Sequence, residues 1–381
     1  MKVLYLTVPS FFDLEISLIR ELRKYCDVHV LMIISPESIH SSAFDIHKLC
    51  PEPKIINGQD FEEINKYQTF IDLKYWNIAN NPDNSFISCF KLAKQIKEFI
   101  KTEEFDLIHS TTDCKTSVFL LPFIFRFKNT LFTEHDPIPH HKMNRFREFI
   151  SYNLSFICFK NVLLLSDSLL EQFKGKFKGY YKTIYQSGLS IYDFLKSYPK
   201  VSNKYGDYIL FFGRIDRYKG VDLLINAYRQ SNAYKKGIKL IIAGRANSDF
   251  SVPENNAILL FNRYIPNEEL AGLIDNSLFV VLPYKSATQS GCVFSAFAFD
   301  KPILATNVGD IPKQVNNNTG CLIEPNDVVG IKEGINYMLH ADYGKLTTYI
   351  HNLYSDKGER SWGCIAKHLV EDIYNKIVKG E

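Results

Sequence analysis

The chain has 381 residues, more than one hydrophobic core usually holds, so two domains are expected. Apolar residues make up 46% and charged residues 23%, which is ordinary for a globular protein, and a net charge of +3 excludes a chain-wide nucleic-acid footprint. The eight cysteines are scattered, without a CxxC pair or a Cys/His metal spacing, and point to reduced thiols in a cytoplasmic protein with no metal site.

Residues 2–8 read as an apolar first strand. The stretch reaches Asp13 and Glu15 without a small-residue cleavage site, so it is not a signal peptide. Leu14, Leu18 and Leu22 recur at helical spacing over 13–24, and residues 28–34 form the next strand. The loop between carries no glycine, which removes the dinucleotide fingerprint and makes NAD an improbable cofactor. Residues 36–90 are weakly patterned, with short strands expected at 54–56 and 69–73. A helix follows over 90–101, a strand over 106–109, a helix over 114–125 and strands at 130–133 and 162–166. A helix from Asp167 and a strand at 183–185 complete the half. This alternation predicts an α/β fold with a doubly wound parallel sheet.

Two strand ends in this half carry candidate chemistry. His109 closes one strand, and His135 with Asp136 closes another, so both histidines are expected to face one crevice on the acceptor side. His135 would contact a sugar or acceptor hydroxyl, with Asp136 orienting its ring or serving as base; the alternative is a loop histidine capping the turn before Pro137. The apolar run 118–125 contains Pro122 and is too short to cross a bilayer, so membrane contact is expected to be peripheral. Between residues 125 and 182, ten Lys/Arg oppose five acids amid several phenylalanines. That stretch either docks on an anionic bilayer or forms a solvated face.

The second half is expected to begin near residue 200. A strand at 208–212 ends on Gly213-Arg214, and Lys219-Gly220 precede a helix. A strand-ending glycine, two cations and a helix N-terminus suit a diphosphate. Strands at 239–243 and 257–261 end on Gly244-Arg245 and on Asn262-Arg263-Tyr264-Ile265, and a helix follows over 270–275. Residues 283–327 then run from a strand through a polar loop, Lys285 to Gly291, into a short helix from Cys292 and a strand at 302–306. In this βαβ unit the loop stands at a strand's C-terminal end, where open α/β sheets bind ligands. Helices are expected over 328–339 and 361–378, the last with an apolar stripe from Trp362 to Ile377.

Gly213-Arg214, Lys219-Gly220 and the block 258–327 resemble the family 4 glycosyltransferases of the GT-B fold over about 120 residues of the 381. The resemblance implies two Rossmann-like doubly wound domains facing a cleft, here 1–195 for the acceptor and 200–360 for a nucleotide-sugar donor. A helix at 361–381 would cross back to the first domain. It implies metal-independent sugar transfer with retention of anomeric configuration to a saccharide or lipid-linked acceptor, on the inner face of a bacterial plasma membrane. Arg214 and Lys219 would hold the diphosphate beside Gly213, and Arg263, Tyr264 and Ile265 would lie beside the base; Arg245 is either a third phosphate contact or a solvated residue. The paired glutamates of the family fall on Ala287 and Ser295, and its Gly-Phe-Gly on Thr288-Gln289-Ser290. The loop is similar to a bacterial branch with Ser/Thr-Gln-Ser-Gly, and leaves Thr288, Gln289, Ser290, Gly291, Cys292 and Ser295 as donor contacts. The family's first-domain histidine falls on Thr111, so His135 takes its place. A sugar-nucleotide epimerase of the same architecture, or a binding subunit with a decayed site, are the alternatives.

Overall fold

The computed structural model describes all residues except 39–48, 69, 113, 136–154, 166–169, 177–181, 247–255 and 288–289. The chain divides into two compact units. The first is Met1–Leu189 with Trp362–Glu381, and the second is Ser190–Ser361.

The first unit is built on eight strands: β1 (Lys2–Thr7), β2 (Asp27–Ile34), β3 (Lys54–Asn57), β4 (Trp76–Asn80), β5 (Leu107–Ser110), β6 (Thr130–Glu134), β7 (Asn161–Leu164) and β8 (Thr183–Gln186). They lie in the order β3-β4-β2-β1-β5-β6-β7-β8, parallel except for β3 against β4. Residues of β1, β2 and β5 are buried along nearly their whole length, as a parallel sheet covered on both faces requires. Helices α1 (Phe12–Leu22), α2 (Phe86–Glu103) and α3 (Lys115–Arg126) cover it, and Leu92, Ile96, Leu120 and Ile124 meet strand residues Leu4, Leu6, Leu31 and Ile108 in one core. Ser85 caps α2 by accepting from the Ser88 amide at 3.2 Å. The chain returns to this unit through Trp362–His368, a π-helical turn at Leu369–Tyr374 and Asn375–Lys379, burying Trp362, Leu369, Ile373 and Tyr374.

The second unit carries β9 (Tyr208–Phe212), β10 (Lys239–Ala243), β11 (Ile258–Phe261), β12 (Val280–Leu282), β13 (Ile303–Thr306) and β14 (Gly320–Ile323), with every pairing parallel. Their order is β11-β10-β9-β12-β13-β14, so the winding reverses between β9 and β12. In an open parallel sheet the crevice outside the carboxyl ends of such a strand pair is the ligand position. Helices α4 (Val221–Gln230), α5 (Asn267–Asp275), α6 (Gly291–Ala298), α7 (Val328–Met338) and α8 (Tyr343–Tyr354) complete the unit.

Three local expectations change. No strand runs up to Leu73; Leu73–Tyr75 is a 3-10 turn and the strand is Trp76–Asn80. The Asp72 carboxylate accepts from the Lys74 amide at 3.3 Å, which turns the chain before it can extend. Strand Gly320–Ile323 and helix Tyr343–Tyr354 were not legible as elements. The helix expected from Asp167 is described only over Leu170–Lys176. Among the described residues, no helix is long and apolar enough to cross a membrane.

Candidate functional site

In the second unit, the ends of β9, β10 and β12 converge, and glycines make the approach possible. Gly213 has φ +113°, and a Cβ there would lie 3.3 Å from Cys292 Sγ. Gly244, at φ +156°, would place a Cβ 1.9 Å from the Gly213 carbonyl oxygen, and Gly220, at φ +67°, would place one 2.0 Å from the Pro283 oxygen. Only glycine tolerates both the dihedrals and the contacts. The loop after β9 is thereby laid directly on the loop after β12, where the Lys285 amide donates to the Tyr218 carbonyl at 2.7 Å.

Two cations occupy this platform. The half-buried Lys219 holds its Nζ 3.7 Å from the centroid of the fully buried Tyr284 ring. Burial lowers the Lys219 pKa below the usual lysine value, and the nearby Arg214 charge acts in the same direction. Arg214 is exposed and lies near Tyr218, where its positive charge opposes the rise in the Tyr218 pKa that burial causes. Tyr284 in turn meets Ser290 Oγ at 3.1 Å, so the ring under Lys219 is tied to the N-terminus of α6. Ser290 occupies the N-cap position but makes no capping bond through its side chain. The first-turn amides of Gly291 and Cys292 have no intrahelical acceptor, which leaves a positive helix end beside the two cations.

The remaining expected donor residues divide. Arg245 is exposed, and its carbonyl accepts from the Ile215 amide at 3.0 Å, fixing the loop that carries Arg214. Arg263 pairs with Glu269 at 2.6 Å and donates to the Tyr264 carbonyl; Tyr264 is exposed and Ile265 is buried. Ser295 is buried and gives its hydroxyl to the Gly291 carbonyl at 3.2 Å, inside its own helix. Thr288 and Gln289 lie outside the described residues. A residue absent from the sequence reading also enters: Tyr192 Oη sits 2.8 Å from where a Gly291 Cβ would be, and its ring lies near-parallel to Phe294. Nothing local in the sequence marks Tyr192, whose amide reaches the Phe294 carbonyl across about a hundred positions of chain.

In the first unit, His109 lines the same small cavity as His135, with Tyr5, Glu15 and Thr133. It is fully buried, with Nδ1 2.5 Å from Tyr374 Oη and Nε2 2.6 Å from Thr133 Oγ1. Burial pushes its pKa down to about 3, with the nearby His135 as a second cause, so the ring is neutral. His135 is different. It stacks on Phe11 with centroids 3.8 Å apart, and its Nε2 faces Glu15 Oε1 at 3.7 Å. Glu15 is buried on α1, takes a hydrogen bond from Thr7, and meets Tyr5, whose pKa is raised by burial and then by the Glu15 charge. Among the described residues, neither His135 Nε2 nor Glu15 Oε1 has a hydrogen-bond partner. A small cavity beside them is closed by Trp362, Ile365 and Leu369 of the returning helix. Asp136 lies outside the described residues.

Two Rossmann-like units, the second with a cationic, glycine-lined platform at its switch point, are the parts of the GT-B fold. Residues 206–341 match the family model described as Glycosyl transferases group 1. Over 177 residues the chain is 25% identical to the capsular polysaccharide biosynthesis glycosyltransferase CapM of Staphylococcus aureus, a match covering 44% of this chain and 46% of that protein. The chain thus spans about half the length of that curated relative. Sucrose-phosphate synthase from Thermosynechococcus elongatus shares the fold over 100% of both chains, with a TM-score of 0.65 at 16% identity. Anabaena Alr3699/HepE, solved with UDP and glucose, shares it over 100% of this chain and 99% of its own, with a TM-score of 0.61 at 16% identity.

Proposed function

We propose that the protein is a retaining glycosyltransferase that moves a sugar from a nucleotide-diphosphate donor to a saccharide or lipid-linked acceptor in bacterial surface polysaccharide or glycolipid synthesis. It would work without a metal, at the inner face of the plasma membrane. The observation that carries this reading is the platform at the β9/β12 switch point, where Arg214, Lys219 and the amides of α6 surround glycine-lined backbone. The match of residues 206–341 to a glycosyltransferase family covers the same segment.

Transfer breaks the bond between the anomeric carbon and the diphosphate. Negative charge grows on the leaving phosphate while the sugar ring becomes electron-poor. Cations already in place stabilise that charge more in the transition state than in the ground state. Lys219 is suited because it is partly desolvated and has a π face rather than a carboxylate beneath it. The leaving phosphate oxygen takes the acceptor's proton as the new bond forms on the same face, so no carboxylate nucleophile is needed. His135, oriented by Phe11 and Glu15, would contact a sugar or acceptor hydroxyl.

Incubation with a panel of UDP-, GDP- and ADP-sugars and a saccharide acceptor, followed by NMR of the product, tests the reading. An α-donor should give an α-linked product. A free epimer would identify an epimerase, and the absence of either product would favour a binding subunit. Lys219→Met should slow transfer on the order of a hundredfold or more, about 3 kcal/mol. Undiminished turnover in both Lys219→Met and Arg214→Ala would refute the clamp.

A further inference from the structure

The outer face of α2 and α3 in the first unit has the composition of a bilayer-docking surface. Helix α2 turns Ser88, Cys89, Leu92, Ala93, Ile96 and Ile100 inward. Its opposite face begins with Phe86, Ile87 and Phe90, which are 76%, 66% and 59% exposed. These are the largest exposures among the phenylalanines and isoleucines of the described residues. Phe86 and Phe90 pack edge-on against Phe119 of α3, with centroids 4.8 and 6.3 Å apart, so the two helices present one apolar surface. Farther along α3, Phe125 is 58% exposed. Such grouping is unusual on a surface facing only water.

Charge follows the same face. Positions 86, 90, 94, 97 and 101 share one side of α2, so two phenylalanines lead into Lys94, Lys97 and Lys101, with Lys91 on the flank. Helices α2 and α3 together carry six cations, Lys91, Lys94, Lys97, Lys101, Lys115 and Arg126, against Glu98 and Glu103. Both acids are already engaged, Glu98 with Lys101 at 3.4 Å and Glu103 with Lys2 at 2.7 Å. Lys91, Lys94, Lys97 and Arg126 form no ion pair among the described residues. Lysines with long mobile stems are depleted from the cores of protein interfaces but are favourable against a negative headgroup layer, while aromatic rings enter the acyl boundary.

We propose that this α2–α3 face docks the protein on an anionic lipid bilayer, with Phe86, Ile87 and Phe90 inserted and Lys91, Lys94 and Lys97 at the headgroups. It deepens the membrane location of the proposed function and rests on that part of the reading, but because it requires neither a donor nor sugar transfer, vesicle binding can fail while transfer in solution persists. It overlaps the basic stretch at 125–182 only at Phe125 and Arg126, and much of that stretch lies outside the described residues.

Sedimentation of the full chain with vesicles of phosphatidylcholine plus phosphatidylglycerol, against pure phosphatidylcholine, tests it. Binding should need the anionic lipid and weaken as salt rises. The triple variant Lys91→Gln, Lys94→Gln, Lys97→Gln should lose on the order of a hundredfold, at about fivefold per cation. Phe86→Ser with Phe90→Ser should lose at least about tenfold. Val329→Ser, at a comparably exposed position (63%) in the second unit, should bind as wild type. Unchanged melting curves would establish that each variant folds. Wild-type protein that stays in the supernatant with anionic vesicles would overturn the proposal, as would phenylalanine variants that sediment normally. So would a concentration-dependent dimer that those variants dissolve without changing vesicle binding, because the occupant would then be a second copy of the chain.

Discussion

Replacing His109 by glutamine separates a core role from a functional one, because glutamine keeps a donor and an acceptor but cannot gain a proton near neutrality. In the native protein the ring is neutral, held between Tyr374 and Thr133, with its pKa pushed from 6.5 down to about 3. In the unfolded chain it recovers the ordinary value. Below pH 6.5 the unfolded state therefore binds more protons, so stability falls as pH falls, down to about pH 3 where the native ring also titrates. At about 1.4 kcal/mol per pH unit once well below the upper pKa, the native protein should lose about 2 kcal/mol between pH 6.5 and 4.5 through this residue alone. Both tryptophans, Trp76 and Trp362, are buried in the first unit, so fluorescence in a urea titration reports that unit selectively. The carboxylates titrate alike in wild type and variant, and the quantity of interest is the difference between them. Equal losses in both chains would refute the buried neutral histidine.

Other outcomes follow from the same contacts. Tyr374→Phe leaves a buried His109 nitrogen without its partner and should cost the first unit about 1–3 kcal/mol, read by the same fluorescence titration. Gly291→Ala pushes a methyl to 2.8 Å from Tyr192 Oη and should destabilise the second unit by about 1–3 kcal/mol in calorimetry. Adding Tyr192→Phe removes the obstructing atom, so the double variant should regain most of that loss. Gly244→Ala forces a Cβ to 1.9 Å from the Gly213 oxygen at φ +156°, and should move the loop carrying Arg214. Isothermal titration with the nucleoside diphosphate of whichever donor the sugar-nucleotide panel identifies should then show at least about tenfold weaker binding, equivalent to about 1.4 kcal/mol.

The order of strands and helices was legible wherever burial on both faces leaves an unbroken apolar run, as at Tyr208–Phe212 and Lys239–Ala243. It failed where a strand is short or half-exposed. Gly320–Ile323 lies at a sheet edge and begins on a glycine, and neither feature resembles a central strand. In the second unit, Gly213, Lys219, Ser290, Gly291 and Cys292 do converge, because the strand ends that carry them flank one switch point. Their supports were hidden. Tyr284 looks like any strand-end aromatic until Lys219 is placed over it, and Glu15 looks like an ordinary helix-surface acid until α1 buries it against Thr7. His109 is the converse case. A histidine at a strand end signals chemistry only when the end is open, and here a helix far along the chain closes it.

That closure sets an order of events during synthesis. Tyr374 is made 265 residues after the histidine it bonds. At roughly 5–20 residues per second, His109 waits on the order of 10 to 50 seconds for it. Throughout that interval the sheet of the first unit exists without Trp362, Ile365 and Leu369 over the Glu15–His135 cavity. The second unit, whose residues are contiguous, has every strand and helix it needs before the first does. The portion translated first is therefore finished last. During that delay the apolar residues that Trp362, Ile365 and Leu369 later cover have no partner from the end of the chain.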